Sequence, residues 1–215
     1  MKTVEELIQL VEGSVERALA QESNIEPWVF NIQSMSTTEI KCLLNNICNI
    51  DGKYLEIGSF QGGTFCSAIS NNKDLVSMSI DNFCAFDHGG VNKGILVDNI
   101  NRIANTTRSV AQVSEDCFTQ FDIVPDGIDV YFYDGEHTDE DQEKALTYFV
   151  DKMSDNFVFI VDDYNGTGVQ RGTALAIERL GGKIKVEKEW KFLTEGNGAP
   201  VWWNGIYVAV ISKIK

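Results

Sequence analysis

The chain is poor in proline, histidine and positive charge. Three prolines in 215 residues exclude a proline-rich linker protein, and 18 glycines without a triplet period exclude a collagen-like rod. With 18 basic residues against 32 acidic ones the formal charge is −14, which repels phosphate backbones and anionic lipid at long range. Neither nucleic acid nor a membrane surface is therefore an expected partner. No CxxC pair occurs. Cys42, Cys48, Cys66, Cys84 and Cys117 are odd in number, scattered and mostly within apolar stretches, the usage of buried free thiols in a reducing compartment. No run approaches the roughly 18 apolar residues of a membrane helix. The N-terminus carries glutamate where a signal peptide needs lysine or arginine, and its apolar residues are periodic rather than in a block. The expectation is a cytoplasmic protein, and 43% hydrophobic residues suit a globular one.

What is present is a regular alternation of elements. Val4, Leu7, Ile8, Val11, Val15, Ala18 and Leu19 recur at helical spacing and predict an amphipathic first helix. A loop through Pro27 ends it. Ser36 with Glu39, ahead of Ile40, Leu43, Leu44 and Ile47, forms a capping-box pattern that predicts a second helix. From Lys53 onward short apolar runs alternate with helical periods, the pattern of a parallel sheet. Strands are predicted at 54–57, 75–80, 109–113, 128–133, 157–161, 183–187 and 206–211. The clearest helices fall at 63–69, 95–104, 140–153 and 169–180. No helix separates the last two strands, which predicts a hairpin ending the sheet. The expected fold class is thus α/β: a Rossmann-like, seven-stranded, mostly parallel sheet with a C-terminal antiparallel hairpin and helices on both faces. Two extra N-terminal helices (residues 1–50) would form a cap on the domain of residues 51–215, within one compact unit.

Two groups of residues carry chemistry. The first is the run from Tyr54 to Thr64 (YLEIGSFQGGT), where a buried strand enters glycines and then a helix, so that a ligand can approach the backbone closely. Phe60 stands where a dinucleotide fingerprint needs its middle glycine, which disfavours NAD and FAD. Asp81 closes the next strand about 20 residues on, where an acid accepts the hydroxyls of an adenosine ribose. The pair suggests an adenosine ligand without a pyrophosphate. The second group is Asp134-Gly135-Glu136-His137 with Asp162-Asp163-Tyr164-Asn165-Gly166, at the ends of neighbouring strands on the carboxyl edge where open α/β sheets bind ligands. Asp134, Asp162 and Asp163 would converge there. Clustered carboxylates need a cation, and all-oxygen ligation suits Mg²⁺ rather than Zn²⁺. Because successive strand side chains alternate in direction, Asp162 and Asp163 share an ion only if the strand bends between them.

Glu56-x-Gly58-x-x-x-Gly62 followed by Asp81 resembles the cofactor signature of class I S-adenosylmethionine-dependent methyltransferases, over the chain from about Lys53 to its end. The resemblance implies that Glu56 and Asp81 bind the amino-acid and ribose portions of S-adenosylmethionine (SAM). It also implies contacts from Gly58, Ser59, Gly62 and Asp134. Ser114-Glu115-Asp116 resembles the family's Gly-Asp-Ser turn beside the adenine, implying Glu115 or Asp116 there. Asp134, Asp162 and Asp163 occupy the ligand positions of the metal-dependent O-methyltransferases of catechol, caffeoyl-CoA and macrocin type, with Asp163 where the catechol type has Asn. The proton acceptor is Lys three residues after the first metal Asp in the catechol type, where His137 stands. In the macrocin type it is Asp two residues after, where Glu136 stands.

The expected activity is transfer of a methyl group from SAM to a hydroxyl of a sugar or polyphenol-like molecule, assisted by Mg²⁺ or a similar ion. The alternatives are a metal-independent methyltransferase and a non-catalytic adenosine-ligand module. His88 is read as a solvated loop residue, Trp202 and Trp203 as packing on the hairpin, and Lys183, Lys185, Lys188 and Lys191 as protection of an exposed edge. A homodimer is the expected assembly.

Overall fold

A computed structural model describes residues 2–87 and 89–215. Its elements are α1 (Val4–Leu19), α2 (Thr38–Ile47), β1 (Gly52–Ile57), α3 (Gly63–Ile69), β2 (Leu75–Ile80), α4 (Asn92–Ile103) and β3 (Ser109–Val113), then β4 (Ile128–Tyr133), α5 (Asp139–Phe149), β5 (Met153–Val161), α6 (Thr167–Arg179), β6 (Ile184–Phe192) and β7 (Ile206–Lys213). The seven strands form one sheet in the order β3-β2-β1-β4-β5-β7-β6. The first five run parallel, and β7 pairs antiparallel with both β5 and β6. The expected α/β class, strand number and terminal hairpin are therefore present. The chain winds outward from β1 to β3, then returns to β4 on the other flank of β1. This reversal opens a crevice between the carboxyl ends of β1 and β4, the usual ligand position in such sheets.

Strand alternation divides the core into two layers. Tyr54, Val130, Phe132, Val158, Ile160, Val208 and Val210 face α1, α2, α3 and α4 in one cluster. Leu55, Ile57, Tyr131, Tyr133, Phe159, Val161 and Tyr207 face α5 and α6 in the other. The first cluster runs without a break from Leu7 and Leu43 into the sheet, so α1 and α2 share the core of the sheet. Among the described residues no helix is long and apolar enough to cross a membrane.

Four local expectations are corrected. Thr37, not Ser36, caps α2, its hydroxyl accepting from the Ile40 N–H. Glu39 is turned instead toward the Gln21 side-chain amide. The helix expected over 140–153 ends at Phe149, and Met153 already opens β5, because the sequence Val150-Asp151-Lys152 closes a single 3₁₀ turn. Cys84 is exposed and Cys117 half-buried, while the other three cysteines are buried; all five are free. β6 extends to Phe192 as an edge strand, with Lys185, Lys188 and Lys191 on it.

Buried Asn45 joins the N-terminal helices to the sheet layer. Its side-chain amide donates to the carbonyls of Ser67 (2.8 Å) and Ser70 (2.9 Å) at the end of α3, and its Oδ1 accepts from the Asn24 N–H. Both carbonyls lie in the last turn of α3, where helical partners run out, and only that of Ser67 also accepts a backbone N–H, from Ser70 at 3.3 Å. Asn45→Ala is expected to destabilise the protein by about 2–4 kcal/mol in urea denaturation, against nearly nothing for exposed Asn49→Ala, because buried polar groups lose their partners.

Candidate active site

The turn after β1 is built around a close approach. Gly58 adopts φ +85°, and a Cβ there would sit 1.9 Å from the Asp134 carbonyl oxygen, so only glycine lets the ends of β1 and β4 meet. Asp81, at the end of β2, holds the same turn from the other side. Its Oδ2 accepts from the N–H groups of Ser59 (2.8 Å) and Phe60 (2.7 Å), and its Oδ1 from Phe83 (2.7 Å). An ionised carboxylate has about four acceptor directions, so Asp81 keeps one for a ligand hydroxyl. Gly62 caps α3 with φ +90°.

Glu56 lies beneath this turn, fully buried. It accepts hydrogen bonds from Thr64 Oγ1 (2.8 Å) and from the Tyr54 hydroxyl. Burial pushes its pKa up to about 8, and the charges of Asp81 and Asp162 reinforce the shift. Both its oxygens are thus engaged by protein hydroxyls. Of the two acids after β3, Asp116 spends its carboxylate on the Phe118 N–H, capping a 3₁₀ turn. Glu115 and Asp116 are both exposed.

The ends of β4 and β5 bring more carboxylates to the same crevice. Asp162 is 3% exposed, and its Oδ1 accepts from the Asp163 N–H at 2.9 Å. Burial, then the neighbouring Asp163, lifts its pKa to about 8. Burial also raises Asp134 well above the usual carboxylate range, and Asp162, Asp163, Glu56 and Asp81 add to the shift. The named charges acting on Glu56, Asp134 and Asp162 are all other carboxylates. Asp163 takes φ +53°, the bend that the strand alternation demanded.

This bend regroups the proposed ligands. Asp134, His137 and Asp163 place one ligand atom each within 4.8 Å of one another, and His137 Nε2 lies 3.1 Å from Asp163 Oδ2. Asp162 stays outside that group, because its side chain turns back to the Asp163 backbone. The atoms that converge are thus those of Asp134, His137 and Asp163, not those of the expected trio Asp134, Asp162 and Asp163. Glu136 is exposed, with Oε1 accepting from the His137 N–H at 3.0 Å.

Sequence reasoning missed the segment before α2. Ser34, Met35 and Ser36 line a cleft of about 30 Å³ together with Gly58, Ser59, Phe60, Gly63, Thr64 and Asp134. Ser34 reaches this position because Gly63 has no side chain; a Cβ there would fall 2.4 Å from Ser34 Cβ. The hydroxyls of Ser36 and Ser59 are buried without a hydrogen-bond partner. The helix-cap pattern at Ser36 masked this role. Asn165, read from the sequence as part of the turn after β5, also reaches the β6–β7 loop. Its side chain accepts from the Thr194 N–H and donates to the Thr194 hydroxyl (3.0 and 2.7 Å), tying the β6–β7 loop to the Asp163 bend. Trp202 stacks on Phe192 at 4.6 Å, the packing role expected of it. His88 lies outside the described residues.

Residues 55–164 match the family model described as a methyltransferase domain. The chain belongs to this methyltransferase family. Its fold is that of solved methyltransferases at low sequence identity. An O-methyltransferase from Bacillus cereus, solved in complex with S-adenosylhomocysteine, superposes with a TM-score of 0.58 at 14% identity, over 99% of this chain and 92% of the other. TomG of Streptomyces achromogenes, an O-methyltransferase involved in tomaymycin synthesis and solved with SAM, gives 0.59 at 15% identity over 99% and 91%. An uncharacterised protein of Acanthamoeba polyphaga mimivirus is 27% identical over 129 residues, 57% of this chain. The match spans 58% of that relative's length.

The raised pKa of Glu56 has a definite sign. Its folded value of about 8 lies above the ordinary 4.5, so the unfolded chain releases the proton first and stability falls as pH rises from about 4.5 through 8. Glu56→Gln removes that slope. Relative to the parent, the ligand-free variant is expected to gain roughly 2–3 kcal/mol between pH 6 and pH 8.5 in urea denaturation.

Proposed function

We propose that this methyltransferase transfers a methyl group from SAM to a hydroxyl of a small molecule, sugar or polyphenol-like, with help from a divalent cation. The observation that carries this reading is a crevice of five acids at the strand ends, Glu56, Asp81, Asp134, Asp162 and Asp163, in which Asp134, His137 and Asp163 bring ligand atoms within 4.8 Å of one another and neighbouring carboxylates add to the raised pKa values of Glu56, Asp134 and Asp162. Such a site is built for positive ligands. The sulfonium and ammonium of SAM and a divalent ion both fit that donor set. The partnerless hydroxyls of Ser36 and Ser59 give polar contacts to a ligand entering beside Gly58.

SAM supplies a methyl group with its own leaving group, and a divalent ion supplies the charge that lowers an acceptor hydroxyl's pKa. The protein's share is placement and proton removal. Asp81 offers its remaining acceptor direction to a ribose hydroxyl, and Glu115 or Asp116 would face the adenine. Gly58 and Gly62 let the ligand approach the backbone. Asp134, His137 and Asp163 would hold the ion, with Asp162 beneath them fixing the Asp163 backbone. Glu136 takes the acceptor's proton, or His137 does so where it does not hold the ion.

A second reading rests on the 3.1 Å contact between His137 and Asp163. A carboxylate that orients an imidazole makes a general base without any metal. The two readings separate on chelation: full activity after EDTA treatment selects the metal-free base. For the metal-assisted reading, Asp134→Ala is expected to abolish divalent-ion binding and lower methyl transfer at least 100-fold, with SAM affinity kept within about fivefold. Calorimetric titration with SAM, and then with the ion, checks this. A parent protein that binds neither SAM nor S-adenosylhomocysteine would refute the whole reading.

A further inference from the structure

The sequence alone points to an all-oxygen site, the donor set of Mg²⁺. The folded chain offers a different set. One carboxylate oxygen of Asp134, one of Asp163 and one imidazole nitrogen of His137 converge within 4.8 Å. Asp162, the residue that would have completed an all-oxygen trio, is held on the Asp163 N–H and nearly excluded from solvent. It contributes charge from below, not a donor atom.

His137 is also held in place. The carbonyl of Glu136 accepts from the Gln142 side-chain amide at 3.3 Å and from the Tyr133 hydroxyl at 3.4 Å. The His137 N–H donates to Glu136 Oε1. Its carbonyl packs so closely on Gly168 at the start of α6 that a Cβ there would lie 2.8 Å away. The backbone that carries the imidazole is thus fixed by three elements, β4, α5 and α6. The imidazole itself is 47% exposed and Asp163 19%, so the pair opens toward solvent, where further ligand positions lie.

We infer that His137 is a metal ligand through Nε2, and that this site therefore prefers a borderline transition ion such as Co²⁺ or Zn²⁺ over Mg²⁺. The inference rests on the metal-assisted reading above and deepens it. Two carboxylates balance the charge of a divalent ion, and one imidazole nitrogen favours ions that accept nitrogen donors. A ligated imidazole has no free lone pair at Nε2 for a proton, which leaves Glu136 as the proton acceptor.

The test uses the full chain after chelator treatment, titrated calorimetrically with MgCl₂, MnCl₂, CoCl₂ and ZnCl₂, with the visible absorption of the cobalt form as a second readout. The expected result is that Co²⁺ and Zn²⁺ bind at least about tenfold more tightly than Mg²⁺. His137→Ala should lose tenfold or more of its Co²⁺ affinity and change the cobalt spectrum, while its Mg²⁺ affinity moves less than about threefold. An unchanged thermal midpoint establishes that the variant is folded. Unaltered Co²⁺ affinity and spectrum in His137→Ala would overturn the inference and leave the metal-assisted reading standing. Absence of any divalent-ion binding by the parent, with SAM still bound, would overturn both the inference and metal assistance while leaving SAM-dependent transfer intact.

Discussion

The carboxyl ends of β1 and β4 run so close together that not even a methyl group fits between Gly58 and the Asp134 carbonyl. Everything in the site is referred to that contact. It places the Gly-rich turn directly beside the first acid of β4, and it aligns the Asp134 N–H with the Ile57 carbonyl at 2.9 Å. Asp81 then fixes the turn from β2, while the Asp162 N–H donates to the Tyr133 carbonyl and registers β5 against β4. Three parallel strands thereby deliver their terminal acids to one crevice.

Delivering them has an electrostatic cost. Glu56 and Asp162 are nearly or fully buried, and burial together with neighbouring acids holds both pKa values near 8. Hydrogen bonds from Tyr54, Thr64 and the Asp163 N–H relieve part of that cost without removing the charge density. A fold tolerates such a cluster when a cationic ligand repays it on binding. The same field disfavours anionic ligands, as does the formal charge of −14.

Much of this architecture was legible beforehand. Short apolar runs ending in Gly, Asp or Asp-Asp mark β1, β2, β4 and β5, because periodicity and turn chemistry are local properties. The missing helix between the last two strands identified the hairpin for the same reason. Element ends were less legible. Val150 and Met153 fit the apolar stripe of α5 as well as they fit a 3₁₀ turn and the first residue of β5, so composition there favoured neither. Ser36 and Thr37 are both competent helix caps, and only one hydroxyl can take the Ile40 N–H.

By itself, then, the sequence determined the strand-turn-helix order, the acids at the strand ends and the scarcity of positive charge around them. Those follow from side-chain periodicity and residue type along short stretches of chain. Tertiary structure decided which atoms meet. The positive φ at Asp163 exchanged His137 for Asp162 among the convergent groups, and the space above Gly63 admitted Ser34, with Ser36 beside it in the same cleft. Each outcome depends on segments brought together from distant parts of the chain, and no local pattern encodes the direction in which a side chain leaves a bend.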